Sequence, residues 1–272
     1  YELALATEHI ILVDDGSSSV SLPEVALLAV LPGTGGITRV TDKRMVRRDR
    51  ADIFCSTEGG ARGSRALEWN LVDDLVSPTK FNDLVKQRAD EFATRSDRPT
   101  DQEGIKLGPL KVKQEDKFYQ YSSVSIDLNH ELGVAEITIL GPTDDVLNDV
   151  NQLLLEGDRF WPLRVARELD DAILQLRFNE LQIGVIVFKS IGSPSEVSKY
   201  CNFLQENKEH WFVREIIFYW TRVLKRIDLT SRSLISLITP DSCFAGFLAE
   251  IILASDRSFM CEDVFEEFGD LE

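Results

Sequence analysis

Two runs in this chain, His9–Val13 (HIILV) and Ile183–Phe188 (IGVIVF), are short and apolar, and Ser233–Ile238 (SLISLI) reads as a further strand. A strand that is apolar along its whole length keeps no face for water, so it belongs inside a sheet that is covered on both sides. The sequence also supplies the cover. Phe81–Thr94 carries Phe81, Leu84, Val85, Arg88 and Phe92 at helical spacing, and Leu163–Phe178, Ser195–Gln205 and His210–Arg226 also read as helices. Strands separated by such helices predict an α/β fold with both sheet faces covered.

The remaining segments follow from local signals. Glu2–Thr7 reads as part of a helix, and Asp14–Ser21 as a polar turn. Val25–Leu31 is apolar, and Pro32-Gly33-Thr34-Gly35-Gly36 breaks the chain before a helix expected from about Thr38 to Cys55. A helix fits Ser64–Trp69 and a strand Leu71–Val76; Ser77-Pro78-Thr79 is a good start for the helix after it. Ser96–Gln114 is polar and rich in Pro and Gly, which predicts a linker over 96–114 between domains at 1–95 and 115–272. Tyr119–Leu128 and Val134–Leu140 alternate and should pair antiparallel. A loop is expected to Asp158, and a last helix over Cys243–Ala254.

Composition excludes several functions. The 272 residues are 43% hydrophobic, enough for one large or two modest cores. A net charge of −16 repels nucleic acid and anionic membrane. One local exception, Arg39, Lys43, Arg44, Arg47, Arg48 and Arg50, is either the solvated face of a helix or a docking surface for a phosphate-bearing molecule or a partner subunit. Cys55, Cys201, Cys243 and Cys261 are scattered, and His9, His130 and His210 lack metal-ligand spacing. No metal site is expected, and the cysteines read as buried thiols of a reducing compartment. Without a run of ~20 apolar residues or a signal peptide, the expected location is cytoplasmic. A first residue other than Met suggests an internal fragment of a longer chain.

Two carboxylates stand out. Glu2 opens a short apolar helix, and Glu24 follows Pro23 shortly before the Pro-Gly-Thr-Gly-Gly turn. Taken singly, a glutamate at a helix start is a partner for the helix dipole, and Pro-Glu is a turn. Gly33, Gly35 and Gly36 are first of all turn residues that permit positive φ or close backbone approach.

Taken together, Glu2, Pro23-Glu24, Pro32-Gly33-Thr34-Gly35-Gly36-Ile37-Thr38-Arg39 and the later ARGSRALEWNLVDDLV (Ala61–Val76) resemble the crotonase (enoyl-CoA hydratase/isomerase) superfamily. Asn70 stands where that pattern has a glycine. The resemblance implies a ClpP/crotonase fold and an acyl-CoA thioester whose carbonyl is polarised by two backbone N–H groups. Glu2 and Glu24 would then be the carboxylates that handle protons and water. Such a pair suits the task, because burial and a like-charged neighbour separate two carboxyls into an acid and a base near neutral pH. Gly33, Gly35 and Gly36 would contact substrate as a secondary role.

The pattern over essentially all 272 residues is closer still to a branch whose chains hold two crotonase-like parts. ELALATEHIILV from Glu2 is echoed by EIILASDRSFM from Glu250, as two tandem units would produce. Both units are expected to be incomplete here. That branch implies a ring-opening lyase on an aromatic acyl-CoA: one glutamate activates water, the other manages the opening oxygen's proton. Carbon–carbon cleavage then yields an open-chain CoA semialdehyde and formate, consuming two waters and no redox cofactor. The alternatives are a conventional enoyl-CoA hydratase or isomerase, and a non-catalytic assembly protein of the same fold. The resemblance places the oxyanion donors upstream of residue 1, so the isolated chain is expected not to turn over substrate. It also implies a dimer or trimer. In the second unit, Gly192, Gly246 and Glu250 are weaker candidates. That unit is expected to have lost its site, with Trp211, Phe212, Phe218, Tyr219 and Trp220 serving as core or subunit contact.

Overall fold

The computed structural model describes residues 1–262 except 34, 99, 102 and 148. The chain divides into two compact units, one over Tyr1–Asp97 and one from Arg98 onward.

In the first unit, α1 (Glu2–Leu5) leads into β1 (Ile11–Val13), then β2 (Ser19–Val20), α2 (Glu24–Leu28) and α3 (Gly36–Thr38). A π-helical turn over Arg39–Lys43 precedes α4 (Arg48–Ser56), β3 (Ala61–Arg62), α5 (Gly63–Glu68), β4 (Asp74–Val76) and α6 (Phe81–Thr94). β1 and β4 pair in parallel with Ile11 opposite Asp74, and β2 and β3 pair antiparallel. Leu5, Leu22, Val40, Phe54, Ala66 and Leu71 form the centre of the core. Each large apolar side chain closed off in this way contributes ~1.5–3 kcal/mol.

The single helix expected over Thr38–Cys55 is broken. Met45 takes a left-handed backbone at φ 53°, and Val46 N–H donates to Val40 O across the break. The cause is Arg44, a buried side chain whose Nε donates to Asn70 O at 2.7 Å and whose Nη1 donates to both oxygens of Asp73 at 2.9 Å. The cationic cluster therefore has no common face. Lys43 Nζ donates to Leu5 O and Thr7 O beyond the end of α1, where the last carbonyls lack helical partners. Arg50 Nη1 donates to Glu68 O, with its guanidinium 5.9 Å from the Trp69 ring centre, and Arg47 pairs with Asp49. For Lys43, Arg44 and Arg50 neither a solvated helix face nor a docking surface describes the role: they tie the unit together.

The second unit is one sheet with helices. β5 (Lys113–Glu115), β6 (Phe118–Gln120), β7 (Val124–Asn129) and β8 (Val134–Leu140) run as an antiparallel meander. After α7 (Val150–Glu156) and α8 (Trp161–Phe178), the sheet continues in parallel through β9 (Val185–Ile191). Then come α9 (Pro194–Glu206), α10 (Trp211–Asp228), β10 (Ser233–Ile238), α11 (Ala249–Ala254) and β11 (Arg257–Met260), the last two strands extending the parallel part. Strand order is β11-β10-β9-β8-β7-β6-β5.

Ile126, Ile137, Ile186, Phe188 and Leu234 point to one face and pack with Leu169, Ile173, Val213, Ile216, Val223 and Ile227 of the long helices. The spacings of 4, 3, 7 and 4 residues in those helices are one apolar stripe each. On the opposite face of β8 and β9, Glu136 and Lys189 form an ion pair with 44% and 36% of their side chains exposed, although Val187 beside them is buried. Among the described residues of this unit, the apolar core lies on the helix-covered face, and the opposite face is partly open at this ion pair.

Other differences have local causes. The strand read as Tyr119–Leu128 is two strands, because the carboxylate of buried Glu168 accepts Ser122 N–H, Ser122 Oγ and Ser123 N–H and so fixes a turn between them. The loop expected before Asp158 contains α7, capped by Asp149 accepting Asn151 N–H at 3.0 Å. The helix expected from Cys243 starts only at a 3₁₀ turn over Gly246–Leu248; Cys243 O accepts the N–H of Ala245 at 2.8 Å instead of a helical donor. The first two residues of β5 fall in the stretch read as linker. The two segments that echo each other in sequence each fold as a short helix leading into a strand. In both, a hydroxyl bonds back to the helix: Thr7 Oγ1 to Ala4 O at 2.8 Å, and Ser255 Oγ to Ile251 O at 2.9 Å.

Candidate active site

Glu2 is the first residue of α1 and Glu24 the first of α2. The Glu2 carboxylate does not lie on its own helix end. Its Oε1 accepts the N–H of Gly36, the first residue of α3, at 2.8 Å. A β-carbon at Gly36 would lie 2.5 Å from that oxygen and 3.1 Å from both methyls of Leu22, so only glycine leaves room for the carboxylate. Leu22 is 1% exposed and ends two residues before Glu24, with Pro23 as the N-terminal cap of α2. One buried leucine therefore backs the seat of Glu2 and anchors the segment that presents Glu24.

Glu24 is partly buried, and its Oε2 is closed to solvent with no hydrogen-bond partner among the described residues. Burying a carboxylate oxygen in this way costs free energy that a hydrogen-bond donor would offset. Beside it lies the buried Cys55 of α4, whose thiol pKa is pushed up by burial, with the carboxylates of Asp52 and Glu24 adding to the shift. Cys55 was invisible as a neighbour of Glu24 in the sequence; the helical spacing that buries Ala51, Phe54 and Cys55 together was the available signal.

The three glycines separate by role. Gly36 seats Glu2. Gly35 has φ +95°, a conformation that only glycine adopts cheaply, and caps α3 with the Arg39 guanidinium close above it. At Gly33 a β-carbon would meet nothing nearer than Leu31 O at 3.8 Å. Thr34 lies outside the described residues. Leu27 and Leu28 of α2 and Val30 and Leu31 just after it are each more than half exposed, so this segment presents an apolar surface following Glu24.

In the second unit the glycine N–H that could polarise a carbonyl is taken: Gly192 N–H donates to Asp241 O at 2.9 Å. A β-carbon at Gly246 would lie 2.0 Å from Cys201 Sγ, so that glycine serves close packing. Glu250 is exposed at the rim of a cavity of about 440 Å³ lined by Leu204, Ile217, Trp220 and Phe247. Of the aromatic set, Phe212 and Trp220 are core, while Phe218 is half exposed. Among the described residues no cluster of three or more His, Cys, Asp and Glu side chains is arranged to hold a metal, and no helix is long and apolar enough to cross a membrane.

No protein-family model matches the chain. The solved structures it resembles are enoyl-CoA hydratases and hydratase/isomerases. One from Geobacillus kaustophilus is 19% identical, covers 53% of this chain and 47% of its own, and has a TM-score of 0.35. A hydratase/isomerase from Xanthobacter autotrophicus is 15% identical over 54% of this chain and 48% of its own, also at a TM-score of 0.35. In sequence the likeness is much stronger and more particular. The chain is 48% identical over 262 residues, 96% of its length, to benzoyl-CoA-dihydrodiol lyase of Aromatoleum evansii. It spans about half of that relative, 47% of its length.

Proposed function

We propose that this chain is part of a crotonase-type lyase that opens the ring of an aromatic acyl-CoA, with Glu2 and Glu24 as its proton-handling pair. The observation that carries the reading is the contrast between the two carboxylates. Glu2 is fixed by a backbone N–H, and Glu24 holds a closed-off oxygen with no donor among the described residues. The 48% identity to a benzoyl-CoA-dihydrodiol lyase supports the substrate class.

In this reading the substrate is an epoxide of a dihydrobenzoyl thioester. One glutamate removes a proton from water as it attacks the ring, and the other delivers a proton to the opening oxygen. Cleavage of the carbon–carbon bond then releases formate and leaves an open-chain CoA semialdehyde. Two waters balance the equation, and coenzyme A enters as part of the substrate, so no redox cofactor is required. The oxyanion donors would come from the part of the protein that this chain does not span, each worth ~3–4 kcal/mol of barrier. The apolar surface of α2 suits a ring better than a charged substrate. The assembled protein is taken to be a dimer or trimer, which sedimentation would measure.

The test compares substrates in the full-length protein that bears this chain. Formate release from 2,3-epoxy-2,3-dihydrobenzoyl-CoA is expected, with little hydration of crotonyl-CoA. Hydration of crotonyl-CoA without formate release would instead make it a conventional hydratase.

A further inference from the structure

The site contains a contact whose chemistry the proton-handling pair alone does not explain. Glu2 Oε1 takes the Gly36 N–H at 2.8 Å, and the would-be β-carbon of residue 36 stands 2.5 Å from the same oxygen. Any side chain at the position of the backbone group that holds the carboxylate would therefore press on that same carboxylate. We propose that Gly36 is a positioning residue for Glu2: its N–H fixes which oxygen is occupied, and its missing side chain leaves the space in which the carboxylate sits. This rests on the proposed role of Glu2.

The geometry sets the role apart from that of a turn glycine. Gly35 is required by its backbone, at φ +95°; Gly36 has no positive φ and is required by what lies against it. Residue 36 opens α3, so its N–H has no helical acceptor of its own and is free to bind the carboxylate. With Oε1 engaged, Oε2 is the oxygen left to meet water or substrate. An alanine at 36 meets only flexible neighbours, the Glu2 carboxylate and the two Leu22 methyls at 3.1 Å. The backbone can stay while the carboxylate retreats by about 0.9 Å, the distance from 2.5 Å to an ordinary 3.4 Å contact. A catalytic group displaced by ~1 Å loses up to ~100-fold in rate.

The experiment is a double-mutant cycle in the full-length protein, using Gly36→Ala, Glu2→Gln and the two combined, with kcat and KM read separately. Gly36→Ala is expected to lower kcat by roughly 10- to 100-fold with KM within about 3-fold. In the Glu2→Gln background the same change is expected to cost less than about 2-fold, because the group it displaces is already disabled. Equal losses in both backgrounds would show that Gly36 acts on something other than Glu2 and would overturn the proposal. A second readout keeps the bond testable if an alanine at 36 disturbs folding. With ¹⁵N-glycine labelling, the Gly36 amide resonance should move in Glu2→Gln and stay in Glu24→Gln; an unmoved resonance in Glu2→Gln overturns the proposal. If Glu2→Gln leaves kcat intact, the functional reading fails and the positioning role fails with it. The amide resonance still reports whether the bond exists.

Discussion

Replacing Arg44 with Met should open the first unit. The side chain is 8% exposed and its guanidinium makes three donations, one to Asn70 O and two to Asp73, whose other duty is to accept Ile10 N–H at 2.8 Å. Methionine keeps much of the stem's volume but leaves Asp73 and the Asn70 carbonyl without those donors. Breaking a fully buried pair costs ~3–5 kcal/mol. The Asp73 side chain is 26% exposed, so water screens part of the loss and about 2–3 kcal/mol is the better figure. For a unit of this size each kcal/mol moves the midpoint by ~4–8 °C, a fall of roughly 10–20 °C in the transition of the first unit. Hydrogen exchange of peptides spanning 61–76, together with thermal unfolding, would read it. Arg47→Met is the control, since Arg47 is paired with Asp49 on the surface and its loss should leave both measurements unchanged. Wild-type exchange over 61–76 in Arg44→Met, or an equal effect in Arg47→Met, would refute the assignment of Arg44 as a buried tie.

Three further outcomes follow from the same geometry. The Asp74 carboxyl is held below the ordinary carboxylate range, chiefly by hydrogen bonding to Arg88 and then to His9. A carboxyl depressed on folding adds stability that is complete above its unfolded pKa near 4 and is lost as pH falls through the folded value. Stability should therefore drop below about pH 4, and Asp74→Asn should flatten part of that fall; an identical acid profile in the variant would contradict it. Gly35→Ala should destabilise by ~1–2 kcal/mol through its left-handed backbone, read by urea unfolding, and a neutral result would mean that the turn relaxes. With a thiol reagent under native conditions, exposed Cys261 should react first. Cys55 and Cys243 are buried with thiol pKa values pushed up by burial, and should react only on unfolding.

Much of the α/β pattern was legible because periodicity and burial coincide. Phe81–Thr94 and Ser233–Ile238 carry the same bounds in sequence and structure, and the long helices differ only at their ends. What could not be read was tertiary. Nothing local marks Arg44 as the residue that leaves its helix, because its partner Asp73 lies 29 positions away. Nothing local marks Ser122-Ser123 as a turn, because Glu168 supplies the acceptor from α8. The site divided in the same way. Its carboxylates and glycines were visible as a pattern, whereas the seat of Glu2 on Gly36 depends on a contact between residues 34 positions apart.

Of all these, one rate comparison reaches the chemistry itself. On the proposed reading, Glu2→Gln and Glu24→Gln in the full-length protein should each lower kcat for opening of the epoxide by at least ~100-fold while the thioester still binds, since each would remove a proton carrier without removing volume. Formate release at the wild-type rate by either variant would contradict the assignment of these two carboxylates.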